Sequence, residues 1–477
     1  MNGLVISRII LGLRIVDAFI LIAFFVYWKA IQPNIYKSIM TFLKYPWFAI
    51  LVASVTIDFI LCRFDYLKEI VDVTLLTAFI GTLIFHVIFS AIMRWIQNRV
   101  EDVTKLTDDY RGLMRRYEGS YGDFDSLDKN HTQKVPIMGV ITNKKFDRIK
   151  IKDNNNMYEL PEELVNIDEC ILSAHDTSWI YNQVNIRVDD WKVKERVNKT
   201  EKKKENVLYI YTSRTNYYFS LMTNRAMDYK LRNGFTIRNL LQPGPFVPRL
   251  KDSILSNHLG FNAIIVTKDR QIPFIKRYNT LSIAKNTYGT SVSASIKLCS
   301  VLSDYNSLFN KDDLIKGIES EIIKELKLRN YDEKEDSENK ENKEEIELLS
   351  EPQIIAAYRD IVEGNKPQLL VYAAVNKDRK ELNKNFKRAI KEEKKERTKE
   401  EINQEDGKKL YWFKCDEFLQ LEVLDNAFKM SEKTKPYNIT PSVAISIKLM
   451  KDYLESPEGK KKLDDDLKSF QQGEKTE

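Results

Sequence analysis

The run Asn257-His258-Leu259-Gly260-Phe261-Asn262-Ala263-Ile264-Ile265-Val266 sets the architecture, together with three segments on its C-terminal side. These are Lys276-Arg277-Tyr278, Tyr288-Gly289-Thr290-Ser291-Val292-Ser293-Ala294-Ser295, and a helical run from Asp313 to Leu328. The short apolar run at 262–266 reads as a buried strand. Ile272 to Ile275 reads as a second strand that ends in two cations, and Gly289 marks a turn. In the helical run Leu314, Ile318, Ile322 and Leu326 recur every four residues and form one buried stripe, while Asp313, Gly317, Glu321 and Glu325 form a parallel stripe on an adjoining face. Two or three carboxylates on one face suit Mg²⁺, which takes oxygen ligands and bridges phosphates; the same charges equally suit a solvated surface.

Beyond this core, strand-like runs occur at 136–140, 170–172, 184–188, 207–211, 369–375 and 410–413, with a further helical run at 442–454. Strands and helices mixed without a regular βαβ rhythm predict an α+β body. Highly charged stretches at 192–205, 332–347 and 377–409 read as solvated loops or exposed helical insertions. Four cysteines and four histidines lie far apart, so neither a disulfide scaffold nor a metal cluster is expected. With 75 Lys+Arg against 69 Asp+Glu the net charge is +6 over 477 residues, too mild and dispersed for a protein that binds duplex DNA or RNA.

The N-terminal fifth differs in kind. Three apolar runs, 9–28, 42–62 and 70–95, approach the ~20 residues that cross a bilayer, so residues 1–97 predict two or three transmembrane helices. Lys29, Lys37, Lys44, Arg94 and Arg99 flank them in the pattern that places the C-terminal body in the cytoplasm. Asp58, Asp72 and His86 fall inside these runs, where ionisable groups mark an assembly interface or a water path. Apolar residues spaced by three and four from Val100 to Tyr117 predict an amphipathic linker helix within 98–132, broken at Gly119 to Gly122.

The succession of strand, basic strand end, glycine-containing turn and carboxylate-bearing helix resembles the Nudix fold. The family signature GX5EX7REUXEEXGU, with its last nine positions set on Ser320 to Leu328, matches Glu321, Ile322, Glu325 and Leu328, and has Lys324 where a metal-binding glutamate belongs. With the membrane-like N-terminus, and with Thr223-Asn224-Arg225-Ala226, Thr236-Ile237-Arg238 and Ser256-Asn257-His258-Leu259-Gly260 leading into the core, the chain resembles the SMODS-associated Nudix effectors of bacterial CBASS antiphage systems. That resemblance implies a cyclic oligonucleotide ligand whose phosphates Lys276, Arg277, Lys324 and the Ser291 and Ser293 hydroxyls would hold by charge-assisted and neutral hydrogen bonds, Arg225 and Arg238 as further ligand-binding candidates, a functionally linked cGAS-like nucleotidyltransferase, a homo-oligomer, and disruption of the inner membrane by a multi-pass protein in contact with the lipid bilayer. Lys324 puts a fixed positive charge in a ligand position, so no catalytic residue, metal or cofactor is expected; the alternative is a membrane-anchored Nudix pyrophosphatase acting on a nucleoside diphosphate derivative. The organisation expected is an α-helical membrane region at 1–97, a linker helix at 98–132, a β-rich part at 133–250, a divergent Nudix-like α+β domain at 251–460 and a disordered tail at 461–477.

Overall fold

The computed structural model describes residues 106–165, 183–197, 203–231, 234–277, 287–302, 307–328, 348–396, 409–431 and 434–473, all within one compact unit, Thr104–Ile167 with Ile180–Glu477. Along the chain the strands are β1 (Phe124–Ser126), β2 (Lys134–Thr142), β3 (Arg148–Met157), β4 (Val184–Val197), β5 (Lys204–Asn216), β6 (Gly260–Thr267), β7 (Gln271–Lys276) and β8 (Tyr288–Gly289). Next come β9 (Val292–Ser295), β10 (Gln353–Asp360), β11 (Lys366–Val375), β12 (Lys409–Lys414), β13 (Glu422–Val423), β14 (Ala427–Lys429) and β15 (Tyr437–Asn438). The helices are α1 (Tyr110–Arg116), α2 (Glu162–Val165), α3 (Tyr217–Met222), α4 (Ile237–Leu241), α5 (Lys311–Glu325), α6 (Arg379–Glu396), α7 (Cys415–Leu419), α8 (Pro441–Glu455) and α9 (Pro457–Gly473).

The central sheet has the order β1-β2-β10-β11-β6-β9. β6 is buried at every residue because it lies inside this sheet, parallel to β11 from Gly260 opposite Gln368 to Thr267 opposite Val375, and antiparallel to β9 on its other side. Strands covered on both faces read as continuous apolar runs rather than alternating ones. The pleat then sorts the side chains. Phe261, Ala263 and Ile265 enter one core with Leu314, Ile318, Ile322 and Leu326 of α5 and Leu382 and Phe386 of α6. Ile264 and Val266 enter a second core with Val443, Ala444, Ile447 and Met450 of α8 and Leu463, Leu467 and Phe470 of α9. The result is helix, sheet, helix. Smaller sheets, β12-β7-β8, β3-β5-β4 and β13-β14-β15, surround it.

Local signals fix where α5 begins. Asn310 accepts hydrogen bonds from the Asp312 and Asp313 amides, and Asp313 closes the capping box by accepting from the Asn310 amide at 3.0 Å, an arrangement that satisfies amides the helix itself leaves unpaired. The buried ion pair of Arg214 and Asp153, with two contacts of 2.6 Å, also accepts the Phe309 amide at 2.9 Å. The chain is thereby held against β3 and β5 just before the cap. Gly317 lets the helix press onto the segment after β9: a Cβ there would lie 3.1 Å from methyl carbons of both Ile296 and Val301.

Several expectations change. Among the described residues no helix is long and apolar enough to cross a membrane. α8 is apolar on most sides but has 15 residues, about 22 Å at 1.5 Å per residue against a ~30 Å hydrocarbon core; α6, at 18 residues, is charged along most of its length. The expected α-helical membrane region followed by an α+β Nudix domain is therefore corrected to a mixed α/β arrangement of several sheets and helices, and the transmembrane description and the multi-pass inner-membrane location are withdrawn with it. The runs at 9–28, 42–62 and 70–95 and the residues Asp58, Asp72 and His86 lie outside the described residues. The linker expected at 98–132 is, where described, the seven-residue α1, a 3₁₀ segment at Glu118–Asp123 and β1. β2, from the part expected at 133–250, pairs with β10 inside the central sheet. The expected disordered tail is helical through Gly473, because Leu463, Leu467 and Phe470 have α8 and the sheet to bury against. The charged stretch at 192–205 is largely the outer part of the β4–β5 hairpin.

Replacing Gly317 by Leu should overpack the α5–Ile296 contact and cost about 1–3 kcal/mol, the usual penalty for inserting methylenes into a filled core. The urea midpoint should fall, with the slope unchanged; an unaltered midpoint would show that the helix does not press on Ile296 and Val301.

Candidate functional site

The carboxylates of α5 do not converge. Asp313 is spent on the capping box at the first turn, and Glu321 lies eight residues on, about 12 Å along the axis. Glu321 is 2 % exposed and forms an ion pair with Lys297, whose ammonium lies 2.9 Å from Oε1 and 3.0 Å from Oε2. Lys324 joins the same cluster. Burial lowers its pKa, and the adjacent Lys297 charge lowers it further, against a partial offset from Glu321 and Glu325. The Lys297 ammonium goes the other way: burial lowers it, but Glu321 outweighs burial and raises it. Two ammonium groups therefore flank the buried Glu321 carboxylate. A divalent cation does not fit this donor set, since it would have to displace Lys297 and approach Lys324. Among the described residues no group of three or more His, Cys, Asp or Glu side chains could hold a metal.

The end of α5 has the backbone geometry of the signature's glycine without the glycine. Lys327 occupies that position with φ +55°, Leu328 donates its amide to the Ile323 carbonyl at 3.0 Å and Lys327 donates to the Lys324 carbonyl at 3.2 Å. A left-handed residue followed by a reach back across the last turn is the ordinary way a helix stops, and glycine is the residue that does it with least strain.

The other candidates fall on two sides of the sheet. Ser293 donates to Asn262 at 2.7 Å, and Asn262 donates to Tyr358 at 2.8 Å and Ser442 at 3.0 Å, so this hydroxyl belongs to the polar seam under α8, with the sheet between it and α5. Ser291 is fully buried; it donates to the Pro273 carbonyl at 2.6 Å and accepts from the Ile265 amide at 3.0 Å, which stitches β6 to β7. Lys276 ends β7 with its ammonium 5.5 Å from the centre of the Tyr288 ring and with Lys409 as its register partner on β12. Arg238 is 1 % exposed; its guanidinium binds Asp228 at 2.7 and 2.9 Å and the Ile361 and Val362 carbonyls at 3.0 and 2.7 Å. It clamps the turn between β10 and β11.

Arg225 and Arg277, both half-buried, add their charges to a cluster at that turn that the sequence does not announce. Lys366 reaches Glu363 at 3.0 Å, the pair being almost wholly enclosed. Burial works to raise the Glu363 pKa, but Lys366, Arg225 and Arg277 outweigh it and hold the carboxylate below its ordinary value. Asp360 behaves oppositely: burial first, and Glu363 second, push its pKa up to about 7. His258 is fully buried, and neither ring nitrogen has a hydrogen-bond partner among the described residues; burial, then Lys366 and Arg225, hold it well below its ordinary pKa, hence neutral. Arg225 also donates to Tyr217 at 2.6 Å and stacks on its ring. Asn257, at φ +43°, and Asn224 pin the neighbouring backbone, Asn224 donating to the Glu363 carbonyl at 2.9 Å. In the sequence Asn257 and His258 stand in the core run without a role, and Asp360, Glu363 and Lys366 draw no notice. The available signal is a D-I-V-E-G-N-K turn between two apolar runs.

The structure therefore brings Lys276 and Arg277 to the end of β7, gathers Arg225 and Arg277 about Glu363, and sets Lys297, from the segment after β9, against Glu321 and Lys324 of α5. It does not unite these into one ligand shell. No family model matches the chain, and no curated protein matches it. The resemblance to the Nudix effectors thus rests on the sequence motifs alone.

Asp360 gives a pH test with a definite sign. Its folded pKa lies above the unfolded value of 3.8, so the folded state binds the extra proton, and this group's contribution to stability is full below about pH 4 and is lost as pH rises through about 7. Asp360→Asn keeps the acceptor for the Val362 amide and removes the titration. The variant should gain stability over the parent progressively from about pH 4 to about pH 7.5 in urea unfolding; a constant difference across that range would show that Asp360 titrates normally.

Proposed function

We propose that the described domain is a non-catalytic receptor for a phosphate ligand of the nucleotide class, a cyclic oligonucleotide being the ligand that the sequence resemblance implies. The observation that carries the reading is the ion pair of Glu321 with Lys297 beside Lys324. The helix position that would have to present negative charge to a metal is neutralised, and the groups set against it are ammonium ions.

Catalysis of pyrophosphate hydrolysis through a metal needs a cation that polarises phosphoryl oxygen and activates water. Replacing it with ammonium groups removes the water activation while leaving the attraction for phosphate. Recognition without turnover is what such a charge arrangement supplies. The cations that this reading assigns to the ligand are Lys276 and Arg277, both half-buried at the end of β7. Fixed guanidinium and ammonium groups bind phosphodiester oxygens through charge-assisted hydrogen bonds of about twice the strength of neutral ones. Lys366, buried against Glu363, and the half-buried Arg225 support this end of the sheet and add positive potential.

The full chain with Mg²⁺ or Mn²⁺ should bind cyclic di- and trinucleotides without hydrolysing them, and should leave nucleoside diphosphate sugars and dinucleoside polyphosphates intact. Neutralising Lys276 and Arg277 together should cost about 2–5 kcal/mol of affinity, the range for truncated charge pairs, read by calorimetry. Steady hydrolysis abolished by Glu321→Gln would overturn the reading.

A further inference from the structure

Between α6 and β12 the surface opens into a cavity of about 350 Å³, and its chemistry is specific. Arg379, Asn383 and Lys387 of α6 line one wall at a four-residue spacing, so they share one stripe of the helix. The neighbouring stripe, Leu382 and Phe386 with Ile390, is packed into the core with α5 and β6, which fixes the rotation of α6 and leaves the polar stripe facing the opening. The other wall is β12, with Lys409, Leu410, Tyr411 and Trp412; Leu410 and Trp412 belong to the core that α6 covers, and Tyr411 to the core on the opposite face. The Arg379 guanidinium lies 5.7 Å from the centre of the Trp412 ring. The indole N–H of Trp412 has no hydrogen-bond partner among the described residues, an arrangement that is costly unless something supplies an acceptor. Among the described residues that line this cavity, Arg379, Lys387 and Lys409 are cationic and none is acidic.

We infer that this cavity is a seat for one nucleotide unit, its phosphate held by Arg379 and Lys387 and its base laid against Trp412. The volume is at the lower end of the range for small-molecule sites, which suits a single nucleoside phosphate and not a longer strand. Aromatic and guanidinium planes accept any nucleobase by stacking, and Asn383 adds an amide that can donate and accept at a base or ribose edge. Lys409 is the register partner of Lys276, which puts the cavity one strand away from the end of β7. The inference rests on the nucleotide reading for its ligand class and adds to it the place where a unit of that ligand sits. It uses residues from the charged stretch at 377–409, which the sequence alone gives to solvent.

The test is equilibrium binding of ADP, inorganic pyrophosphate and a cyclic dinucleotide to the full chain and to two variants. One is Arg379→Ala with Lys387→Ala, both exposed; the control is Lys384→Ala, an exposed lysine of α6 outside the cavity wall. ADP should bind at least tenfold more tightly than pyrophosphate, the double variant should weaken ADP and the cyclic dinucleotide tenfold or more, and Lys384→Ala should change either by less than twofold. Cyclic dinucleotide binding that the double variant leaves intact would overturn the cavity assignment while leaving the receptor reading in place. Pyrophosphate binding as tightly as ADP would overturn it as well, since the aromatic wall would then read nothing. If no nucleotide binds the parent chain, the receptor reading and the cavity fall together.

Discussion

The parallel pairing of β6 with β11, closed on both faces by helices, governs how everything else in the domain can pack. Every residue of both strands is buried, so each carries no solvated face, and each helix laid on them must bring a complete apolar stripe. α5 and α6 supply that on one side, α8 and α9 on the other. Where polar groups intrude they are consumed by one another: Asn262, Tyr358, Ser442, Ser446, Thr290 and Ser293 form one connected hydrogen-bonded seam under α8. Such networks are favourable only when every member is satisfied, which explains why Ser293 has little to offer an external ligand.

Much of this layering is legible in the sequence because period and burial agree. The four-residue spacing of Leu314, Ile318, Ile322 and Leu326 is the buried stripe of α5, and the apolar runs at 262–266 and 369–375 are the two central strands. What misleads is the adjoining stripe. Asp313, Gly317 and Glu321 look like a carboxylate face, yet all three are buried, for three separate reasons: a cap, a close approach to Ile296 and Val301, and an ion pair. Period locates a face but does not say what covers it, and Lys297 lies 24 residues from Glu321. β10 escapes notice as a strand, and the helix at 457–473 resembles a solvated tail, because its hydrophobic residues are sparse and sit among lysines and aspartates. Spacing alone does not separate a docked amphipathic helix of that kind from a solvated one.

Electrostatics divides the candidate residues by what they can still do. Arg238 and Ser291 have spent their polar atoms on the protein itself, and Arg238 in particular holds the β10–β11 turn in place by four contacts. The charges around that turn lie in a medium where an unmatched partner is costly, so Lys366 and Glu363 are set against each other while Asp360 is pushed toward its neutral form. The cations of the cavity between α6 and β12 are different: Arg379, Lys387 and Lys409 are exposed, and Arg379 lies over the Trp412 ring. Buried charge thus shapes the scaffold, and the exposed charge at strand ends and on α6 is what remains available for a partner bearing phosphate.

In the proposed receptor, protein cations and no metal ion hold the ligand's phosphates. The decisive measurement is calorimetry of cyclic dinucleotide binding to the full chain before and after exhaustive chelation with EDTA. The same saturable binding is expected in both conditions, because Lys297 neutralises Glu321 whether or not a metal is supplied. Binding that requires Mg²⁺, vanishes on chelation and is lost in Glu321→Gln would refute it.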